Sequence, residues 1–170
     1  NGLTIIKAVL DRGSTVVFRP HPLSYNDRTD AARIKAIHDL LATDKAASGR
    51  QHVWGKQAEK EWDVPACFNA SDALITDVSS IASDYLASGK PFAMCAVLNS
   101  GQEFVANFPM AQVAYVIEPD LSTLDAALDH LHGDDPLAER RRAYRTYCLG
   151  ETVGPHAAAE FLRVAGALTS

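Results

Sequence analysis

Two short stretches of the sequence combine residue types that can perform chemistry. R-P-H-P at residues 19–22 directly follows the apolar residues 16–18, and T-D-V-S-S at residues 76–80 follows the apolar run 73–75. A histidine accepts or donates a proton near neutral pH and can donate to a phosphate oxygen. Clustered hydroxyl groups and backbone amides hold phosphates. Both stretches are therefore candidates for a site that binds or transfers a phosphate group.

The second stretch has the pattern of a turn between a strand and a helix. The apolar run before it predicts a buried parallel strand. A helix is predicted after it by apolar residues at helical spacing, Ile81, Ala82, Tyr85 and Leu86. The start of such a helix offers unpaired N–H groups, so Ser79 and Ser80 are predicted to hold phosphates, with Thr76 placed to help. The alternative is that Asp77 or Ser79 only caps the helix.

The first stretch is predicted to be a rigid loop at the carboxyl end of a strand. Prolines on both sides of His21 fix the local backbone and exclude helix. Loops in this position carry the chemistry of many α/β proteins, so His21 is the candidate catalytic residue. The alternative is a histidine that only makes hydrogen bonds within its own loop. Arg19 is a candidate for holding a diphosphate.

Strands alternate with helices along the whole chain, which predicts an α/β fold with a parallel sheet and right-handed crossovers. The length of 170 residues fits a single domain covering residues 1–170. The predicted strands are Thr15–Phe18, Gln51–Trp54, Ala73–Ile75, Phe92–Val97 and Val113–Ile117. Residues 98–109 are expected to be irregular, residues 150–155 to form a loop, and residues 156–168 to form a final amphipathic helix.

The bulk composition excludes several classes of protein. A net charge of −5 argues against a general nucleic-acid binder, and no apolar run approaches the ~18 residues of a membrane span. The three cysteines, Cys67, Cys95 and Cys148, are few and far apart, which predicts reduced, buried thiols in a cytosolic protein. Because the chain begins without Met, we expect it to be an excerpt of a longer protein.

Two charged clusters are open to a functional and a structural interpretation. H-L-H-G-D-D at residues 130–135 places two histidines on different sides of a helix end, so no metal site is predicted. Basic residues make one side of a later helix positive: Arg140, Arg141, Arg142 and Arg145. That side is either a solvated face or a contact for a membrane surface or an anionic acceptor.

The segment D-A-L-I-T-D-V-S-S-I-A-S-D-Y-L at residues 72–86, with K-P at 90–91, resembles the signature of the CDP-glycerol glycerophosphotransferase family. These are the teichoic-acid polymerases and primases of Gram-positive bacteria. The strand ending in R-P-H-P resembles a second signature of that family, and two signatures in the expected order are more specific than either one. The resemblance covers residues from about Thr15 to about Phe161. It implies a Rossmann-like sheet flanked by helices, the C-terminal, donor-nucleotide half of a GT-B glycosyltransferase.

The resemblance also implies a reaction and roles for residues. CDP-glycerol would be the donor, glycerol phosphate would move to a hydroxyl of a lipid-linked polymer, and CMP would leave. The family's matching histidine is implicated in transfer, which makes His21 a base, an acid or a phosphate ligand. The turn is also similar to T-D-S-G-G-x-Q-E-E of the UDP-GlcNAc 2-epimerases, whose last glutamate binds ribose. Asp84 falls at that position, and a solvated helix carboxylate is the alternative.

The expected partners follow from this reaction. The sequence requires no metal or other cofactor, and we expect a monomer that is inactive alone and whose full-length protein is cytoplasmic and peripheral on the membrane. The predicted helix at residues 156–168 would either cross to the N-terminal half of the enzyme or pack on the core of this domain. One alternative is another GT-B nucleotide-sugar enzyme, 2-epimerase-like or a sugar-phosphate transferase, although R-P-H-P and the serine pair argue against an epimerase. Another is a non-catalytic nucleotide-binding domain.

Overall fold

A computed structural model of the protein describes residues 1–97, 99–151 and 155–168. Its α-helices are α1 (Gly2–Asp11), α2 (Arg28–Ser48), α3 (Val64–Asn69), α4 (Ser80–Leu86), α5 (Gly101–Asn107), α6 (Leu124–His132), α7 (Ala138–Leu149) and α8 (Pro155–Leu168). Its strands are β1 (Leu74–Thr76), β2 (Phe92–Cys95) and β3 (Tyr115–Ile117). Short 3₁₀-helices cover Pro22–Asn26 and Pro109–Val113, and a π-helical turn covers Gln57–Glu61.

The three strands form one parallel sheet in the order β1-β2-β3. Ile75 pairs with Ala93, and Ala93 pairs with Tyr115. Parallel neighbours need a crossover connection, and α4 and α5 lie in the two connections between these strands. The prediction of a Rossmann-like α/β fold, a parallel sheet flanked by helices, is confirmed.

Both faces of this sheet pack against helices. Successive residues of a strand point to opposite sides, so each strand contributes side chains to both faces. Phe92 and Met94 pack into a buried cluster with residues of α4 and α5, among them Tyr85 and Phe104. Ala93, on the other face, belongs to a second cluster with residues of α1 and α6. A third cluster joins α1 to α2. The carboxyl edge of the sheet is left to the polar turns that follow the strands.

The two predicted strands in the first third of the chain are a single parallel bridge between Val17 and Val53. Phe18 donates its backbone N–H to the Val53 carbonyl over 2.8 Å, and Val53 donates to the Val16 carbonyl over 2.9 Å. The pairing stops there because Pro20 has no N–H to donate. On the other side, Gly55 turns the chain with a φ of 59°.

The prediction of irregular structure over residues 98–109 is wrong, since Gly101–Asn107 form α5. Phe104 is fully buried and its ring lies 5.0 Å from that of Phe108, one helical turn later. The Glu118 carboxylate accepts a hydrogen bond from the Gly101 N–H over 3.0 Å. Glu118 is 17 residues further along the chain, so the local sequence did not indicate that a helix begins at Gly101. Of the predicted loop at residues 150–155, residues 152–154 lie outside the described residues, and α8 already begins at Pro155.

The basic side of α7 is not uniformly solvated, because the Arg141 side chain is fully buried. Arg141 donates to the Asp135 carboxylate over 2.6 Å and to the Val113 carbonyl over 3.2 Å. Its guanidinium also lies 5.5 Å from the Phe92 ring centre. A buried charge needs such a partner, so Arg141 is part of the core. Arg140 and Arg142 are exposed and Arg145 is half-buried.

The cysteines and the last helix differ in part from expectation. Cys67 is buried and Cys95 half-buried, but Cys148 is exposed near the end of α7, so the prediction of a buried thiol is wrong there. The predicted final helix is present as α8, with 71% of Phe161 and 69% of Leu162 exposed. None of the described helices is long and apolar enough to traverse a bilayer. Within the described ranges no group of three metal-ligating side chains could hold a metal ion.

Candidate functional site

The turn between β1 and α4 places two serines at a helix start, as the sequence predicted. Ser79 is the N-cap residue, with an extended backbone, and its Oγ accepts a hydrogen bond from the Ile81 N–H over 3.3 Å. The hydroxyl hydrogen of Ser79 is left to donate elsewhere. Ser80 is the first helical residue and is exposed, and its side chain makes no hydrogen bond to any described residue. Ser79 therefore caps the helix, while Ser80 is available to a ligand.

The residues before this helix start lie at the carboxyl edge of the sheet. Thr76 is the last residue of β1, is half-buried and pairs with Met94 of β2. Asp77 is exposed. Burial, together with the nearby Asp77 carboxylate, raises the pKa of the Cys95 thiol to about 11. The turn thus lies beside the carboxyl end of β2, and Cys95 is an unreactive thiol at neutral pH.

Asp84 lies on the same helix as Ser80 and is exposed. The two residues are four positions apart, so their side chains share one face of α4, with Cβ atoms about 5–6 Å apart. Asp84 forms no ion pair with any residue that the structure describes. One exposed surface of α4 therefore presents a hydroxyl and a carboxylate.

His21 lies in the loop after the first bridge, and its ring is fixed by its own backbone. It is the N-cap residue of the 3₁₀-helix Pro22–Asn26, and its Nδ1 accepts a hydrogen bond from the Leu23 N–H over 3.2 Å. The expectation that the prolines exclude helix is therefore wrong after His21, because proline is tolerated at the first helical position. Because Nδ1 accepts, the neutral ring carries its hydrogen on Nε2. His21 is exposed, and Nε2 has no hydrogen-bond partner among the described residues.

Arg19 connects the histidine loop to the π-helical turn. Its Nη1 donates to the Trp62 carbonyl over 2.9 Å and also to the Ala58 carbonyl. The Tyr25 hydroxyl, further along the loop, donates to the Glu59 carboxylate over 2.8 Å. Two side chains of the loop are thus tied to one short segment, and the guanidinium of Arg19 has further N–H groups that these bonds do not use.

The structure divides the predicted site residues into two groups. Thr76, Ser79, Ser80 and Asp84 lie together on the end of β1 and on α4, whereas Arg19 and His21 lie in the loop tied to residues 58–62. No described hydrogen bond joins one group to the other. Glu118, which was not among the predicted site residues, follows β3 at the same end of the sheet and accepts a hydrogen bond from the Gly101 N–H. A carboxylate directly after the last predicted strand is the signal that could have identified it.

A parallel sheet with polar turns beyond its carboxyl ends is the architecture of nucleotide-binding α/β enzymes. The sequence model of the CDP-glycerol:poly(glycerophosphate) glycerophosphotransferase family matches residues 4–142, which include both signature stretches. The chain therefore belongs to this family, as its resemblance indicated. It is of the glycerophosphotransferase type, and the family implies a nucleotide-activated donor and a polymer acceptor. The same comparisons found no match among curated proteins or among solved structures.

Proposed function

We propose that this chain binds CDP-glycerol and forms the donor-nucleotide half of a GT-B enzyme that transfers glycerol phosphate to a lipid-linked polymer. The observation that carries the proposal is the family match over residues 4–142. In the reaction, a polymer hydroxyl attacks the phosphorus that bears glycerol. The bond from that phosphorus to the bridging oxygen breaks, CMP leaves with that oxygen, and the hydroxyl proton passes to the departing CMP phosphate or to water.

The turn at β1 and α4 is proposed to hold the nucleotide. Ser80 donates its hydroxyl and backbone N–H to a phosphate oxygen, and Ser79 donates the hydroxyl hydrogen that its capping bond leaves free. Thr76 adds a third hydroxyl at the end of β1. Asp84, on the Ser80 face of the helix, accepts hydrogen bonds from the ribose hydroxyls. The exposure of Ser80 and Asp84, and the absence of competing partners in the described chain, support these roles.

His21 is proposed to be the catalytic residue, acting as a hydrogen-bond donor through Nε2. The Leu23 N–H occupies Nδ1, so in the neutral ring Nε2 carries the hydrogen and faces no described partner. A donor at this atom stabilises the negative charge on the phosphoryl oxygens during transfer. A general base acting through Nε2 would require the hydrogen on Nδ1, where it would oppose the Leu23 N–H. The geometry therefore supports phosphate binding over proton abstraction.

Arg19 is proposed to serve both the loop and the donor. Its Nη1 holds the loop to the carbonyls of residues 58 and 62, and its remaining N–H groups bind the diphosphate. Binding of the acceptor's reacting hydroxyl is assigned to another part of the full-length protein, so this chain alone, as a monomer, is expected to show no turnover. The full-length protein is proposed to act at the cytoplasmic face of the membrane.

Thermal-shift titration tests the proposed donor, because a ligand stabilises the folded state according to its affinity. The chain is titrated with CMP, CDP-glycerol, UDP and a UDP-sugar. CDP-glycerol should give the largest rise in Tm, CMP a smaller one, and the uridine nucleotides little or none. A larger rise with a UDP-sugar would assign the site to a different GT-B donor, and no rise with any nucleotide would contradict the proposal.

A further inference from the structure

A cavity of about 250 Å³ lies at the end of the sheet opposite the turn at residues 76–80. It is lined by residues that follow α4 and by one face of α7: Ser88, Gly89, Lys90, Ala138, Arg142 and Arg145. Lys90 lies just before β2, whereas the turn at residues 76–80 follows the end of β1. In a parallel sheet these positions are at opposite ends. The seven-residue helix α4 spans about 10 Å between them.

The lining of this cavity is strongly basic on a chain whose net charge is −5. Arg142 and Arg145 are three positions apart, so they share one face of α7. Arg142 pairs with Glu139, but 68% and 83% of these side chains are exposed, where ion pairs are weak. Lys90 and Arg145 have no ion-pair partner in the part of the chain that the structure describes. The lining thus carries three cations, and the weak pair with Glu139, which is not a lining residue, is the one ion pair that the described chain gives them.

Arg145 is the residue that points to a ligand. Its Nε–H is buried and donates to no acceptor among the described residues. Buried polar groups without a partner are rare in folded proteins, and the cost is larger when the group is charged. Arg145 lines the cavity, so an anion bound there would supply the acceptor once a shift of the side chain exposes Nε. Because a guanidinium offers a planar set of donors, a phosphate or carboxylate group fits it best.

Lys90 contributes a second positive charge to the cavity, and hydrogen bonds hold its ammonium group in place. Its Nζ donates to the Phe68 carbonyl over 3.0 Å and to the Ser71 carbonyl over 2.6 Å. An ammonium group has three hydrogens, so one remains for a ligand. The backbone N–H of Lys90 donates to the Ser88 Oγ over 3.1 Å, which fixes the segment between α4 and β2. The positive charge is therefore held in place before any ligand binds, which favours affinity.

We propose that this cavity binds one phosphate group of a phosphodiester chain. Its volume suits a phosphate with a short flanking polyol and is smaller than the pockets that enclose drug-sized ligands. That the phosphodiester ligand is a glycerophosphate polymer rests on the proposed function. The cavity would then hold a more distant phosphate of the polymer while the opposite end of the sheet binds the nucleotide.

Isothermal titration of the 170-residue chain with a short glycerophosphate oligomer tests this site. Arg145→Gln and Arg142→Gln should each weaken oligomer binding about tenfold, because each removes charged hydrogen bonds. Arg140→Gln is the matched control: Arg140 is on the same helix and bonds Gln112 outside the cavity, so its loss should leave the affinity unchanged. Inorganic phosphate should bind more weakly and compete with the oligomer. CDP-glycerol affinity should be the same in all four proteins.

Three results would overturn the site: no oligomer binding, equal affinities in all variants, or Arg145-dependent binding to phosphatidylglycerol vesicles but not to the oligomer. The third result would mean that the basic cavity binds lipid headgroups and not a phosphodiester polymer. If Arg145→Gln does not fold, the exposed Arg142→Gln carries the test. A chain that binds the oligomer through Arg145 but binds no cytidine nucleotide would refute the proposed function and leave the phosphate site standing.

Discussion

The backbone N–H of Leu23 donates to Nδ1 of His21 over 3.2 Å, so the ring of His21 is held by its own loop. This contact makes His21 a capping residue for the 3₁₀-helix that begins at Pro22. It also leaves Nε2 as the atom that can reach a ligand. One residue thus has a structural bond at one nitrogen and a proposed chemical role at the other, and substitutions can separate the two.

The first prediction concerns His21 in an enzyme that contains this chain. His21→Ala should lower turnover at least ~100-fold. His21→Asn can keep the cap, since its amide oxygen replaces Nδ1 as acceptor, and should be as inactive as alanine but as stable as the wild type. His21→Gln places an amide near the position of Nε2 and should recover part of the activity. Steady-state rates per folded molecule and Tm values measure these effects.

Two other outcomes of the His21 substitutions would contradict this role. Glutamine as inactive as alanine would favour proton transfer over phosphate binding. Near-normal turnover in all three variants would remove His21 from the chemistry and return it to a structural role in the loop.

The second prediction separates the two serines at the start of α4. Ser79→Ala removes the hydroxyl that accepts from Ile81 and should cost about 1 kcal/mol of stability. Ser80→Ala should leave Tm nearly unchanged. Each should weaken CDP-glycerol binding about tenfold, the scale of a lost hydrogen bond to a phosphate. Ser83→Ala, an exposed position on the same helix, is the control. Unchanged dissociation constants for both variants would leave the serines with only structural roles.

The third prediction concerns acid stability and Asp44. This carboxylate accepts hydrogen bonds from His52 Nε2 over 2.7 Å and from Arg50, and these contacts lower its pKa to about 2. His52 accepts the Val16 N–H at Nδ1, so its side chain, which is fully buried, joins α2 to the first bridge. The Asp–His pair is therefore structural and not a catalytic pair.

A carboxylate whose pKa is lowered in the folded state stabilises the fold at pH values above its unfolded pKa of 3.8. This contribution to stability is lost as the pH falls toward the folded pKa of about 2. Asp44→Asn should lower Tm at neutral pH and flatten the dependence of Tm on pH between about 4 and 2. Asp39→Asn, at an exposed carboxylate that pairs with Lys35, should do neither. Melting curves from pH 2 to 7 test this, and a steep acid transition retained in Asp44→Asn would contradict it.

The sequence predicted the parts of the fold that depend on local pattern. Residues 73–91 show a strand, a capped helix and a glycine-proline stop in succession, and the structure has β1 and α4 there. It did not predict α5, because the group that binds its first N–H is Glu118, which is remote in sequence. The burial of Arg141 was also not predicted. A run of arginines is typical of a solvated helix face, and the fold alone places the Asp135 carboxylate beside Arg141.

The positions of the candidate site residues were predictable to a similar extent. The turn after β1 and the loop after the first bridge lie where the two polar stretches predicted them, and Ser80 is exposed at the helix start, while its role as a phosphate ligand stays a prediction. The bonds of Arg19 to backbone carbonyls at positions 58 and 62 carry no sequence signal, because any residue type supplies a carbonyl. The tautomer of His21 likewise depends on a loop geometry that only the structure shows.

The central claim is that His21 and Ser80 serve one bound donor. Nuclear magnetic resonance of the isotope-labelled chain during titration with CDP-glycerol tests it most directly. The account predicts that the Ser80 amide and the His21 ring resonances shift together with one dissociation constant, while the Arg145 Nε resonance does not move. Shifts at Ser80 alone, at Arg145 instead, or at none of these residues would contradict it.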